Sequence, residues 1–214
     1  MRHTTWRWVG VITLVLAFGG CLGLGKPAYQ IDHYVLEYDS PRMADLEPLP
    51  AVVRLERFSV AAPYNTSRIV YRESAYKRET YNYHRWRANP GDLVTHFLGR
   101  DFRESGLFRA VLPHDSRFSA SCVLEGAVEA FYERDSEEAW DAVLGLSITL
   151  IADEEPDVSK RVLFQGDYHE TEPCARKNPK ALSEAMSRAM RRASERILTD
   201  VYRILSEPGQ RQGD

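Results

Sequence analysis

Cysteine is scarce, with three residues in a chain of 214, and that excludes a disulfide-dense scaffold. Long apolar runs are missing too. The run from Val9 to Phe18 is uncharged and spans ten residues; at about 1.5 Å of rise each it reaches roughly half of a ~30 Å hydrocarbon core, so it is no spanning helix. His33, His84, His96, His114 and His169 show neither H-x3-H nor H-E-x-x-H spacing, and no clustered thiolates join them, which argues against a metal site. There is no G-x-S-x-G, and acids are too evenly scattered to nominate a catalytic pair. Nothing in the residues points to an enzyme or to a cofactor. No internal repeat or sustained heptad pattern appears.

Two near-matches fail on context. Gly20–Lys26 (GCLGLGK) almost spells a phosphate loop, but Pro27 stands where a magnesium-binding hydroxyl belongs, and no strand–loop–helix surrounds it. Ser74-Ala75-Tyr76-Lys77 matches S-x-x-K without the S-D-N and K-T-G elements that make such a serine reactive.

What is present begins at the amino end. Arg2, His3 and Arg7 precede the apolar run, and Gly19-Gly20-Cys21 follows it. A basic start, a short apolar core and small residues at the cut are the anatomy of an export signal. A cysteine directly after the small pair resembles the lipobox of bacterial lipoproteins, although Phe18 stands where Leu is usual. The competing reading is an ordinary exported protein with a chance cysteine. On the lipobox reading residues 1–20 are removed, Cys21 carries the acyl chains, and residues 21–31 (Gly23, Gly25 and Pro27 among them) form anchor and tether. Each buried methylene contributes about 0.8 kcal/mol, so two or three chains make release slow. Leu22 rather than Asp follows the cysteine. By resemblance to enterobacterial sorting, this implies the periplasmic face of the outer membrane.

Loss of Arg2 and Arg7 lowers 28 basic residues to 26 against 31 acids, a balance of −5, unlike a nucleic-acid binder. In an oxidising compartment Cys122 and Cys174 are left as either a bridge or two separate thiols.

Residues 32–205 read as one layered α/β (α+β) domain, and 206–214 (SEPGQRQGD) as a disordered tail. Strands are predicted at His33–Tyr38, Val52–Val60, Arg68–Glu73, Thr80–Arg87, Phe108–Leu112, Cys122–Glu133, Ala142–Ala152 and Val162–Glu170. The last three read as an antiparallel meander, with Glu125, Glu129 and Glu133 expected on one side. Residues 74–79 form the tip of a hairpin. Asn89-Pro90 and Asn178-Pro179 open two amphipathic helices, the first ended by Gly106. The outer face of the second carries Arg188, Arg191, Arg192, Glu195 and Arg196 and reads as solvated. Together these give a mixed, largely antiparallel sheet with two helices packed on it. The stretch Tyr76–Trp86 (YKRETYNYHRW) holds residue types over-represented in protein interfaces. Tyr81, Tyr83, Arg85 and Trp86 are its contact candidates, against the alternative that a hairpin packs these aromatics into its own core.

The order of features resembles the ABC-type transport auxiliary lipoproteins, partners of MCE-type lipid transporters (PqiC- and YmbA-like). The pieces that carry it are the lipidated cysteine, His33-Tyr34-Val35-Leu36, the proline-bounded strand 52–60, Arg68-Ile69-Val70-Tyr71-Arg72, Trp86-Arg87-Ala88-Asn89-Pro90, Ser105-Gly106-Leu107-Phe108, and a closing alanine-rich helix. The resemblance implies a non-enzymatic part that docks an MCE-domain protein, and through it an ABC permease and ATPase, moving lipids or other apolar molecules between the two membranes. A homo-oligomer is compatible with that role. The alternative is an outer-membrane lipoprotein that regulates cell-wall synthesis or assembles a secretion pore.

Overall fold

Asn89 and Asn178 each hold the first turn of a helix. The Asn89 side chain accepts from the Gly91 amide and the Asn178 side chain from the Ala181 amide, with proline at the first helical position of both. The computed structural model describes residues 29–43, 46–136, 140–153 and 155–207. The leader, Cys21, most of the tether and residues 208–214 lie outside them.

From Ile31 onward the order is β1 (Asp32–Tyr34), β2 (Leu49–Leu55), β3 (Ser59–Val60), a single 3-10 turn at Ala62–Tyr64, β4 (Arg68–Ser74) and β5 (Lys77–Trp86). There follow α1 (Pro90–Glu104), β6 (Phe108–Leu112), β7 (Cys122–Asp135), β8 (Trp140–Ala152), α2 (Val158–Arg161), β9 (Val162–Pro173) and α3 (Pro179–Ser206). All nine strands join one mixed sheet. The long ladders, β7–β8 and β8–β9, are antiparallel, as is β4–β5. Shorter parallel ladders place β2, β3 and β4 in succession along the other edge of β7, β6 beyond β2, and β1 beyond β5. The predicted α+β layering is what forms.

Packing explains where the strands depart from their predicted limits. The first strand was expected to run to Tyr38 but leaves the sheet after Tyr34. There α3 takes over its backbone: Ser183 Oγ donates to the Val35 carbonyl and the Glu37 amide donates to Ser187 Oγ at 3.0 Å. Leu36 is drawn into the core between them. The predicted strand Val52–Val60 is broken into β2 and β3 because Phe58 turns inward, its amide donating to Thr95 Oγ1 of α1 at 2.9 Å. The hairpin tip shrinks from the predicted six residues to Ala75-Tyr76, with Ser74 opposite Lys77. α1 ends as expected, with Gly106 at φ 66°, a conformation that costs a side-chain-bearing residue and suits glycine.

Both long helices cover one face of the sheet. α1 buries Leu93, Val94, Phe97, Leu98 and Phe102; α3 buries Leu182, Met186, Met190, Ile197 and Val201, with Ala185, Ala189 and Ala193 between them. They rest on Leu144, Leu146, Ile148 and Leu150 of β8 and Leu124, Val128 and Phe131 of β7. The arginines of α3 are only partly a solvated face. Arg188 and Arg192 pair with Glu172 at 3.1 and 2.9 Å, and Arg196 with Glu170 at 2.7 Å. These carboxylates sit on β9, which among the described residues pairs only with β8. Such charges on an edge strand disfavour pairing with stray chains.

Cys122 and Cys174 do not bridge. Cys122 faces Ala152 at one end of β8, whereas the Cys174 amide bonds to Trp140 at the other. At ~3.3 Å per residue the length of β8 holds them far beyond the ~6 Å a disulfide spans.

Candidate functional site

β5 alternates residues between two environments, and its pairing with β4 slips between Arg68 and Val70. The four nominated residues therefore part company. Trp86 is a core residue, 2% exposed, meeting Phe131 edge-on at 5.1 Å between centroids; the expectation that it contacts a partner is corrected here. Its backbone amide donates to the Ser67 carbonyl, which fixes the strand end that leads into α1. Tyr81 is half-buried, and its hydroxyl donates to Glu133 Oε1 at 3.0 Å. Tyr83 is 43% exposed. Arg85 is half-buried, in register with His33 of β1 and Arg68 of β4. The structure thus leaves Tyr83 and Arg85 within reach of a partner and turns Tyr81 and Trp86 inward.

Glu133 is the residue that sequence reading misplaces. Alternation puts it beside Glu125 and Glu129, yet it is fully buried while those two are exposed. A β-bulge between Val128 and Ala130 causes this, because one extra residue reverses the inward–outward alternation of everything after it. Besides the Tyr81 hydroxyl, the indole Nε1 of Trp140 donates to Glu133. Burial pushes its carboxyl up to about 7, a rise that those two hydrogen bonds oppose. Tyr81 is itself raised by burial and by Glu133.

Around this pair lies a continuous polar and aromatic cluster. Tyr81 packs on Tyr71 at 5.1 Å and on His84 at 5.7 Å, and the Tyr71 hydroxyl donates to Glu79. His84 Nδ1 meets the Tyr34 hydroxyl at 3.3 Å and Asp32 at 3.6 Å. Lys177 pairs with Asp135 at 2.8 Å and lies 5.7 Å from the Trp140 ring centre. Cys174, beside Glu133 and Asp141, has its thiol pushed up to about 11 by burial, so it stays protonated and poorly nucleophilic near neutral pH. These groups tie β1, β5, β4, β7 and β8 together at one end of the sheet. The chemistry they can supply is holding and contact.

A second polar feature lies where the loop after β1 crosses α1. Residues including Tyr38, Ser40, Arg42, Arg100 and Glu104 line a cleft of about 640 Å³. Beneath it the buried Asp101 accepts from Tyr38 at 2.8 Å, from Ser40 at 2.7 Å and from Arg100 at 2.9 Å. The Arg100 guanidinium stacks over Tyr38 at 4.4 Å and Phe97 at 4.8 Å. The Tyr38 and Ser40 bonds to Asp101 and the Arg100–Tyr38 stack pin the loop to the helix, whereas the Arg100 contacts with Asp101 and Phe97 stay within α1. Among the described residues no group of three His, Cys, Asp or Glu is placed to hold a metal ion.

Against known families, the model of the ABC-type transport auxiliary lipoprotein component matches residues 34–198, from the last residue of the first strand to within about two turns of the end of α3. The chain belongs to that family. Among solved structures, this auxiliary lipoprotein is similar to protein XCC0632 from Xanthomonas campestris, at 16% identity and a TM-score of 0.73, over 81% of this chain and 95% of that one. It is also similar to the hypothetical protein CT253 from Chlamydia trachomatis, at 10% identity and a TM-score of 0.54, over 74% of this chain and 99% of that one. At such identities the likeness is one of fold. A comparison with curated proteins finds no match. In the auxiliary lipoprotein, Glu133 and its aromatic neighbours tie the hairpin to β7.

Proposed function

We propose that this auxiliary lipoprotein is a non-enzymatic component of an ABC/MCE-type transporter that moves lipids or other apolar molecules between the inner and outer membranes. Acyl chains on Cys21 hold it at the periplasmic face of the outer membrane, and its folded domain docks the MCE protein, which in turn meets the permease and ATPase. The observation that carries this reading is the family match across residues 34–198, joined to a leader that ends on a cysteine. A part of this kind needs an anchor, a tether, a rigid domain and a contact surface. The capped helices, the bulge-locked sheet and the exposed hairpin supply the last two.

Two measurements test it. Growth with an alkyne-tagged fatty acid should label the wild-type protein and not Cys21→Ser. Detergent extracts should yield the MCE protein and permease with the wild-type chain. An unlabelled protein, free in the periplasmic fraction and without those companions, would remove the proposal. Tyr83→Ala should weaken recovery of the MCE protein while leaving the melting temperature nearly unchanged.

A further inference from the structure

Tyr76 is 99% exposed at the apex of the β4–β5 hairpin. Lys77 and Arg78 follow it, and Arg72 reaches back to the Ala75 carbonyl at 3.1 Å. Glu73 and Glu79 both pair with Lys77, at 3.1 and 2.6 Å, so the tip carries three cations against two carboxylates. It is also stiff. Arg72 stacks on the Tyr132 ring at 4.8 Å, Tyr132 stacks on Tyr64 at 5.7 Å, and Arg78 lies 5.9 Å over Tyr64. A rigid ribbon that presents one uncovered tyrosine between basic residues has the composition found at the headgroup level of bilayers.

The direction of the chain selects the occupant. β1 starts beside His84 and runs parallel to β5, away from the tip. The start of β1 is therefore its end nearer the hairpin tip. Nine residues lie between Cys21 and Ile31, ten steps that span at most about 35 Å when fully extended. From His84 back to Tyr76 is eight residues of β5 and its turn, or ~26 Å at strand rise. The tip can thus lie at the level of the anchor with tether to spare. At the other end of the sheet Phe118, Val158 and Val162 are exposed, next to the start of β7 and the turn from β8 to β9, and the chain does not arrive there.

We propose that the β4–β5 tip, with Tyr76 at its apex, rests on the phospholipid surface that holds this chain's own anchor, so that the domain stands hairpin-down on its membrane. This rests on acylation of Cys21. The contact itself can be weak. A tether this short keeps the tip at an effective concentration of order millimolar, so one interfacial tyrosine and a small excess of positive charge bias the orientation without supplying the anchorage. The far end is then turned away from that membrane.

The test uses the full acylated protein in vesicles of phosphatidylethanolamine and phosphatidylglycerol bearing brominated acyl chains. Tyr76→Trp adds an emitter at the tip and Phe118→Trp one at the far end. Both positions are exposed, and melting curves check that each variant folds. The emission added at Tyr76 should fall roughly two-fold, because a tip at the headgroup–acyl boundary sits within ~10 Å of the bromines; that added at Phe118 should not change. Quenching at Phe118 alone, or at neither site while the protein floats with the vesicles, overturns the orientation and leaves the lipoprotein reading standing. Failure to float removes both. Tyr76→Trp emission that responds to added MCE protein but not to bromine makes the tip a protein contact and also overturns the proposal.

Discussion

Glu133 of β7 and Trp86 of β5, inward-facing residues on strands separated by β4, behave differently. The folded state holds the Glu133 carboxyl up to about 7 through burial, whereas an unfolded chain would hold it near 4.3. A folded-state value raised in this way favours folding most fully below the unfolded value, and that contribution is lost as pH rises through about 7. Denaturant titrations at pH 5 and pH 8 should therefore give a stability difference from which Glu133→Gln removes on the order of 2 kcal/mol. An unchanged difference would place the titration elsewhere. Trp86→Ala should cost about 3–5 kcal/mol, the range for emptying a large core aromatic. Tyr83→Ala should stay within about 0.5 kcal/mol, as for surface changes. The two-residue comparison separates the core role of one from the contact role of the other, and equal losses would refute the division.

At the scale of elements, legibility tracked local chemistry. Both long helices were readable because cap, proline and apolar period are all written within a few residues: Asn178 and Pro179 mark the start of α3 as they stand. Asn178→Ala should cost about 1 kcal/mol in thermal unfolding, and no loss would mean that packing alone positions that turn. The meander was readable from alternation. What could not be read depends on partners distant in sequence. β1 stops early because serines of α3, some 150 residues on, claim its backbone. The strand from Val52 breaks because Phe58 has a place to go under α1. The interior position of Glu133 hangs on a bulge four residues earlier that no turn-forming residue announces. Periodicity could not say which of the hairpin's aromatics face outward: Trp86 is buried and Tyr83 exposed.

For the whole molecule, the proposed anchorage through Cys21 is separable by experiment from the folding of the layered domain. Replacing Cys21 with Ser should leave the domain's melting temperature unchanged and shift the protein from membrane to soluble fractions. A fall in melting temperature would mean that the anchor also shapes the fold. If the hairpin does stand on the membrane, adding glycine–serine repeats within residues 22–28 should dilute the tip contact gradually, following the slow dependence of effective concentration on linker length.

The two cysteines of the domain sit at opposite ends of β8, and the consequence reaches into how the protein is made. A secreted domain stapled by sulfur must wait for an oxidase, and one with several thiols risks mispairing and repair. In this domain Cys122 and Cys174 do not bridge each other. Residues 22–214 synthesised in a reducing cytosol should therefore reach the same fold, with the same denaturation midpoint whether or not dithiothreitol is present.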